Sequence, residues 1–448
     1  MALSKLQKAG WGLADMGIVV FVIIKQLLVL AFLTSVLGVP VALAGAITTG
    51  ILIFDIITDP LVGYLSDRLP TRWGRRAPWM VVGAVVLTGA CVGMFAAPST
   101  GTAGAIWVAA FFIIATIGFT MVVIPYGATA GEMTQDPRER SAMTGWRMGF
   151  ASVGILVGGA LIPGLAQGMG YAGAMTVAAP LILLPIWLSV FLTRKAPRIA
   201  EPSGLGLTEA LGLVFGNAPF ATLVVLYGVM TLAVATITAG LPFAALYLVN
   251  DSGDTALSGA AQALSMLSLL FAAFVLGAIL SQVIWVLLSH RLGKMGALIL
   301  GLTLYIALLF ALYSVLPSTS ATLMAGMFVL AGMTNGAYQQ IPWAMFPDLM
   351  DVTRRDNGAA IEGAFSAVWI FGQKVANALA PLFLGMILSA YGWAETTQGV
   401  ADQSDAALGA LRGAITLLPA AIIALSILGL LVIYRPRARA MLGAAHKL

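Results

Sequence analysis

Charge is what this chain has least of. Of its 448 residues only 9% are Asp, Glu, Lys or Arg, where a soluble globular protein carries about a quarter. Hydrophobic residues make up 60%, and the mean hydropathy is +0.99. That excludes a soluble domain. Cysteine occurs once, at Cys91, so no intrachain disulfide can form, and inside an apolar stretch it reads as a small hydrophobe. Histidine occurs only at His290 and His446, far apart in the chain. With so little His and Cys there is no zinc-type ligand set and no nucleophile with a nearby imidazole base, so neither an enzyme nor a cofactor is expected. The net charge of +5 lies in short loops between apolar stretches, which argues against a nucleic-acid partner. The first apolar stretch ends in no clean small-residue cleavage site, so no processing is expected.

What the chain has instead is apolar stretches long enough to cross a bilayer. Twelve are predicted, near 12–34, 41–65, 78–97, 104–128, 144–165, 173–193, 219–248, 261–288, 295–316, 320–345, 359–388 and 410–434. Apart from Lys25, Arg147 and Lys374, which fall within spans, and Arg412 at the edge of the last, every Lys and Arg lies in the termini or in the loops after even-numbered spans. By the positive-inside rule both termini are cytoplasmic, which independently requires an even number of spans. The longest polar interruption begins at Arg194 and divides the chain into residues 1–193, a linker 194–218 and residues 219–448. Its piece LTEALGLVFG reads as a short interfacial helix. The expected fold class is an all-α membrane protein of twelve transmembrane helices in two six-helix bundles, the layout of carriers whose halves rock about a midplane site.

Two acids interrupt the second span. Asp55 and Asp59 are four residues apart, so they share a helix face roughly 40° wide and can point at one site. Each ionised carboxylate at membrane depth costs about 2.5 to 3.5 kcal/mol on insertion scales. A bound cation is the obvious compensation. Pro60, Pro125 and Pro342 each free a backbone carbonyl in or near a span, where it can kink the helix or meet an ion.

Three segments carry a resemblance. FDIITDPLVGYLSDRLPTRWGRRAPWM (54–80), IPYGATAGEMTQDPRERSAMTGWR (124–147) and PWAMFPDLMDVTRRDNGAAIEGAFSAVWIFGQK (342–374) occur in this order. Together they resemble the glycoside, pentoside and hexuronide to cation symporters, whose best known member is the melibiose permease, within the major facilitator superfamily. The resemblance implies the major facilitator fold. It also implies a cation site of Asp55, Asp59 and Thr120, with Thr58 standing where the melibiose permease has asparagine. The coupling ion is expected to be Na⁺ or H⁺, since a hard cation prefers several oxygens and a close acid pair can also hold a proton. Lys374, near mid-depth in span 11, matches the family's buried lysine and is expected to balance the acid pair when the cation is absent. Arg147 matches a family arginine at the start of span 5, and Asp15 matches the acid of GLAD, where capping, gating and substrate contact remain open.

The resemblance weakens at the sugar site. Positions that carry galactosyl-binding acids in the melibiose permease are Val19 and Val123 here, and an aromatic becomes Gly127. The solute is therefore expected to be a sugar, glycoside or related polar solute other than a melibiose-like galactoside. Cavity candidates are Lys25, Gln26, Arg147, Gln339, Gln340 and Trp343, with Tyr338 beside them. Lys25 has two readings. Facing the cavity it attracts an anionic solute such as a uronate, a sulfosugar or a phosphate-bearing lipid; facing Asp55 or Asp59 it takes the cation's place.

In the loop after span 2, Asp67, Arg68, Arg72, Arg75 and Arg76 are expected to pair across the cytoplasmic helix ends as a gate. HRLGKMG (290–296) is a weaker echo of that loop in the second half.

The first functional expectation is cation-coupled symport of a small-molecule solute by a monomer in the inner or plasma membrane, with membrane lipids as its surroundings. An alternative is a sodium-dependent symporter of lysolipids or other amphiphiles, because DIITDPLVG also looks like theirs and the sugar acids are missing. A non-transporting membrane sensor or enzyme is the remote third reading.

Overall fold

A computed structural model describes residues 3–68, 74–134, 136–197, 207–357 and 362–442. The first half runs α1 (Lys5–Ser35), α2 (Val41–Arg68), α3 (Ala77–Phe95), α4 (Gly101–Met133), α5 (Pro137–Leu156) and, after a π turn at Val157–Leu161, α6 (Ile162–Thr193). The second runs α7 (Leu207–Gly216), α8 (Ala218–Tyr247), α9 (Ser258–Leu264), α10 (Met266–Leu292), α11 (Lys294–Val315), α12 (Ala321–Asn357), α13 (Glu362–Ala390), α14 (Asp405–Ile415) and α15 (Leu417–Gly429). A π turn at Leu430–Tyr434 then leads into α16 (Arg435–Leu442).

Among the described residues, ten helical runs are long and apolar enough to cross a membrane. One of them, Ala142–Thr193, is 52 residues long and holds two predicted spans. It breaks at Gly170, whose φ of 75° is a left-handed conformation that glycine adopts without strain. The long helix α12 is missing from the ten because Thr334, Asn335, Gln339 and Gln340 dilute its apolar residues. With α12 counted and the long run divided, the twelve predicted spans are all present. Their outward faces are apolar, with Ile57 69%, Val283 68% and Leu425 65% exposed, as lipid-facing positions require.

The chain forms two compact units. The first comprises Met1–Glu201, Ala260–Leu269 and Trp393–Gln403, and the second Pro202–Gly259, Leu270–Gly392 and Ser404–Leu448. In the first unit α1 is central, packed against α5 and α6, while α4 lies between α2 and α3. A reciprocal cap starts α1. Ser4 accepts from the Gln7 backbone N–H at 3.1 Å, and the Gln7 side chain accepts from the Ser4 N–H at 3.0 Å. The α1–α5 approach is close. A methyl group built on Gly154 falls 2.5 Å from the Met16 carbonyl oxygen, and one on Gly158 falls 2.8 Å from that of Val20. The late segment Trp393–Gln403 completes this unit. Thr396 and Gly399 donate their N–H groups to Thr34 and Ser35 carbonyls at 3.2 and 2.9 Å, and Glu395 accepts from the first N–H of α2 at 2.9 Å.

In the second unit α8 packs against α13 and α15, and α11 against α12 and α15. Asn217 caps α8 by accepting from the Phe220 N–H, and its amide donates to Leu349 and Thr353 of α12, each at 2.9 Å. Asp251 caps α12 through the Ala321 N–H at 3.1 Å and also accepts from Ser258 at 3.0 Å. Burial tends to raise the Asp251 pKa, but the donors Ser258, Ala321 N–H, Gly253 N–H and Thr255 outweigh it and hold the carboxyl below the usual range.

Candidate functional site

The acid pair is real geometry and not only spacing. In the apolar part of α2, the four-residue spacing places Asp55 and Asp59 one above the other on the face that packs on α4. There the Thr120 hydroxyl lies 2.9 Å from Asp55 Oδ1 and 3.3 Å from Asp59 Oδ1, with its single proton to share. Asp55 is 3% exposed and Thr120 fully buried. Three side chains from two helices thus converge on one centre, with Asp59 half-buried at its edge. Thr58, expected to add an oxygen, uses its proton within its own helix: its hydroxyl donates to the Phe54 and Asp55 carbonyls at 3.0 and 3.1 Å. A hydroxyl in an apolar helix satisfies its proton most cheaply on the preceding turn.

A third helix brings a cation to the same place. Lys25 on α1 is 7% exposed, and its Nζ lies 3.9 Å from Asp55 Oδ2. The ammonium also sits 4.4 Å from the ring centre of Phe119 and 5.5 Å from that of Phe21. Those two rings are in contact, 5.5 Å between centroids. The structure thus places the Lys25 ammonium beside Asp55. Phe21 and Phe119 are residues that sequence reasoning missed. Phe119 adjoins Thr120 and Phe21 precedes Lys25 by one helical turn, so helical spacing alone was the available signal.

Nearer the start of α1 stands a second charge pair, a buried acid with a partly exposed arginine. Arg147 Nε donates to Asp15 Oδ2 at 3.0 Å, and its guanidinium lies 5.9 Å from the Tyr126 ring centre. Tyr126 in turn stacks on Trp11 with centroids 4.9 Å apart. Arg147 is therefore engaged by an acid of its own unit. Gln26 is half-buried on α1.

The remaining candidates belong to the second unit. Trp343 donates to the Tyr227 hydroxyl at 3.0 Å, and Gln373 does so at 3.3 Å. Tyr227 stacks face to face on Trp369, with centroids 4.4 Å apart, and against Tyr338 at 5.4 Å. Tyr338 shares a 2.7 Å hydrogen bond with Thr231. Gln339 is exposed, while the buried Gln340 Oε1 has no hydrogen-bond partner among the described residues. Both amide atoms of the fully buried Asn335 are likewise unpaired. Lys374 is half-buried on α13, next to Gln373.

Of the expected gate, Arg72 lies outside the described residues, as do the side chains of Asp67 and Arg68. Arg75 and Arg76 both engage Glu132 at the end of α4, at 3.0 and 2.7 Å. Glu132 was not singled out from sequence, although it falls inside the second of the three motifs. Near the start of α5, Glu139 accepts from Thr134 at 2.7 Å, Leu3 N–H at 2.8 Å and Lys8 at 3.0 Å. The Thr134 hydroxyl foremost, then Lys8, holds this carboxyl below the usual glutamate range.

Comparison with known proteins agrees with this architecture. Residues 10–435 match a family model described as MFS/sugar transport protein. An inner membrane symporter of Escherichia coli (strain K12) is 25% identical over 93% of this chain and 89% of its own. The sodium-dependent lysophosphatidylcholine symporter 1-A of Danio rerio is 24% identical over 89% of this chain and 81% of its own. Among solved structures, a bacterial homologue of the human lysosomal transporter Spinster superposes with a TM-score of 0.64 at 16% identity. That match covers 98% of this chain and 96% of the other.

Proposed function

The chain belongs to the MFS/sugar transport family of the major facilitator superfamily, which makes it a membrane transporter and not an enzyme, and from that premise we propose that it is a cation-coupled symporter of a sugar, glycoside or related organic solute. The observation that carries the proposal is the Thr120 bridge between Asp55 and Asp59. A buried and a half-buried carboxylate held together in a membrane helix are a centre whose charge must be compensated before a loaded carrier closes. A coupling cation, Na⁺ or H⁺, and the solute then cross together. Each positive charge moved inward gains about 2.3 kcal/mol per 100 mV of membrane potential, enough to drive accumulation. Lys374 is assigned the balancing of the acid pair on the empty carrier's return.

The solute side rests on the exposed Gln339, on Gln340 and on Trp343, an aromatic surface 40% exposed whose indole N–H donates to the hydroxyl of the buried Tyr227. Sugars bind such surfaces by stacking and convergent hydrogen bonds. A second reading, an amphiphile such as a lysolipid, is favoured by one observation: Val19 and Val123 stand where the resemblance calls for sugar-binding acids. The lysophosphatidylcholine symporter among its relatives supports the same reading.

Proteoliposomes test both. Labelled neutral sugars, glycosides, uronates and lysophospholipids are offered under an inside-negative potential, with and without Na⁺ and with an inward proton gradient. The proposal expects one solute class to accumulate above equilibrium. Asp55→Asn and Asp59→Asn are expected to abolish accumulation while solute exchange persists. Undiminished accumulation in both variants overturns the assignment of the acid pair as the coupling centre.

A further inference from the structure

The oxygen donors around Asp55 and Asp59 suit a small hard cation, yet a cation is already built into the chain there. We infer that the Lys25 ammonium is a tethered counter-ion that fills the alkali-metal position of the acid pair, so that Lys25 sets the ion specificity of the carrier and excludes Na⁺ and Li⁺. The inference rests on the acid pair being the coupling centre, and it removes the alkali metal from the ions that centre serves.

Three observations support it. Lys25 is 7% exposed, so it is not a lysine snorkelling to the headgroups, whose amine would be wet. Its Nζ stands 3.9 Å from Asp55 Oδ2, on the carboxylate oxygen that Thr120 does not use. The Phe119 and Phe21 rings, 4.4 and 5.5 Å from Nζ, offer the ammonium their negative faces and close off water. A metal ion seated on the Asp55 carboxylate would lie about 4 Å from this ammonium. Like charges at that distance repel enough, at an effective dielectric of about 20, to weaken alkali-metal binding on the order of a thousandfold. The side chain also needs no ion from solution to satisfy Asp55, so the cost of keeping that carboxylate in the membrane is met within α1 and α2.

The test is sodium binding to the purified full-length chain in lipid nanodiscs, read with ²²Na⁺ and by melting temperature in NaCl against choline chloride at equal ionic strength. Wild type and Lys25→Arg are expected to show no saturable ²²Na⁺ binding and no sodium-dependent shift. Lys25→Met, which keeps the length of the stem without its charge, is expected to gain saturable binding at least about a hundredfold tighter than wild type. Adding Asp55→Asn to Lys25→Met is expected to remove it. Lys25→Gln serves as a second neutral variant if the methionine form does not purify as a single species. Saturable ²²Na⁺ binding by wild type that disappears in Asp55→Asn overturns the inference. So does a well-folded neutral variant that binds no sodium. Because binding is read apart from flux, a chain whose uptake ignores Asp55→Asn discards the coupling centre, while the sodium comparison still reports on Lys25.

Discussion

Arg147 and Asp15 form a 3.0 Å ion pair that joins α5 to α1, with the acid 6% and the arginine 42% exposed. A carboxylate that deep is tolerated because the guanidinium meets it. Removing one member of a fully buried pair costs about 3 to 5 kcal/mol. Here the half-exposed arginine lets water share the load, so about 1 to 3 kcal/mol is expected. Asp15→Asn and Arg147→Gln are each expected to lower the melting temperature of the purified protein. The double variant should lose less than the two singles together, and strict additivity would show that the pair carries no coupling energy.

Thr120 offers the sharpest separation of hydroxyl from shape. Thr120→Val keeps the volume of a fully buried side chain but leaves two carboxylates without their shared donor. A hydrogen bond to a charged group contributes about 1.5 to 3 kcal/mol, so concentrative uptake is expected to fall at least about tenfold. Thr120→Ser should restore it to within a few-fold. Equal uptake by the valine and serine variants would remove the hydroxyl from the coupling centre.

Glu139 gives the protein an acid limit. Its folded pKa is depressed, by the Thr134 hydroxyl first and Lys8 next, so its contribution is complete above the unfolded value, about 4.3, and is lost as pH falls below that through the folded value. Melting temperature should therefore drop more steeply with acid in wild type than in Glu139→Gln, which lacks the titrating group. Parallel curves below pH 5 would show that the cluster of Leu3, Lys8 and Thr134 does not depend on this charge.

Gly158 is the position where α1 and the π turn leave least room. An added methyl group meets the Val20 oxygen at 2.8 Å and Ile23 Cβ at 2.9 Å. Overpacking of this kind costs about 1 to 3 kcal/mol. Gly158→Ala is expected to lower the melting temperature. Gly168→Ala, whose added methyl group meets nothing within 4 Å, should be silent or nearly so.

How much of this was legible follows from the range of each interaction. The spans and the acid pair are properties of single helices, so hydropathy and a four-residue spacing sufficed to find them. Span ends were less visible. α5 begins at Pro137 and α12 runs to Asn357, well past the apolar stretches near 144–165 and 320–345, because polar turns continue a helix once the apolar part has nucleated it. Lys25 remained ambiguous because its direction is set by contacts with α2 and α4, which no period along α1 reports. The bonding of Thr58 was hidden for a local reason, since its sequence position beside the acids says nothing of the carbonyl its hydroxyl donates to. Glu132 was hidden among other loop charges until the fold set it against Arg75 and Arg76.

α1 carries Asp15 and Lys25 ten residues apart, a rise of about 15 Å, on directions roughly 80° apart around its axis. One charge is anchored to α5 and the other to α2. A roll of α1 in either sense would pull at least one buried ion from its partner, and a slide along its own axis would pull both. The two pairs therefore tie α1 to α5 at one level and to α2 at another. A rearrangement that keeps both pairs moves these three helices together, and paired probes on α1, α2 and α5 should report the least relative motion in the first unit.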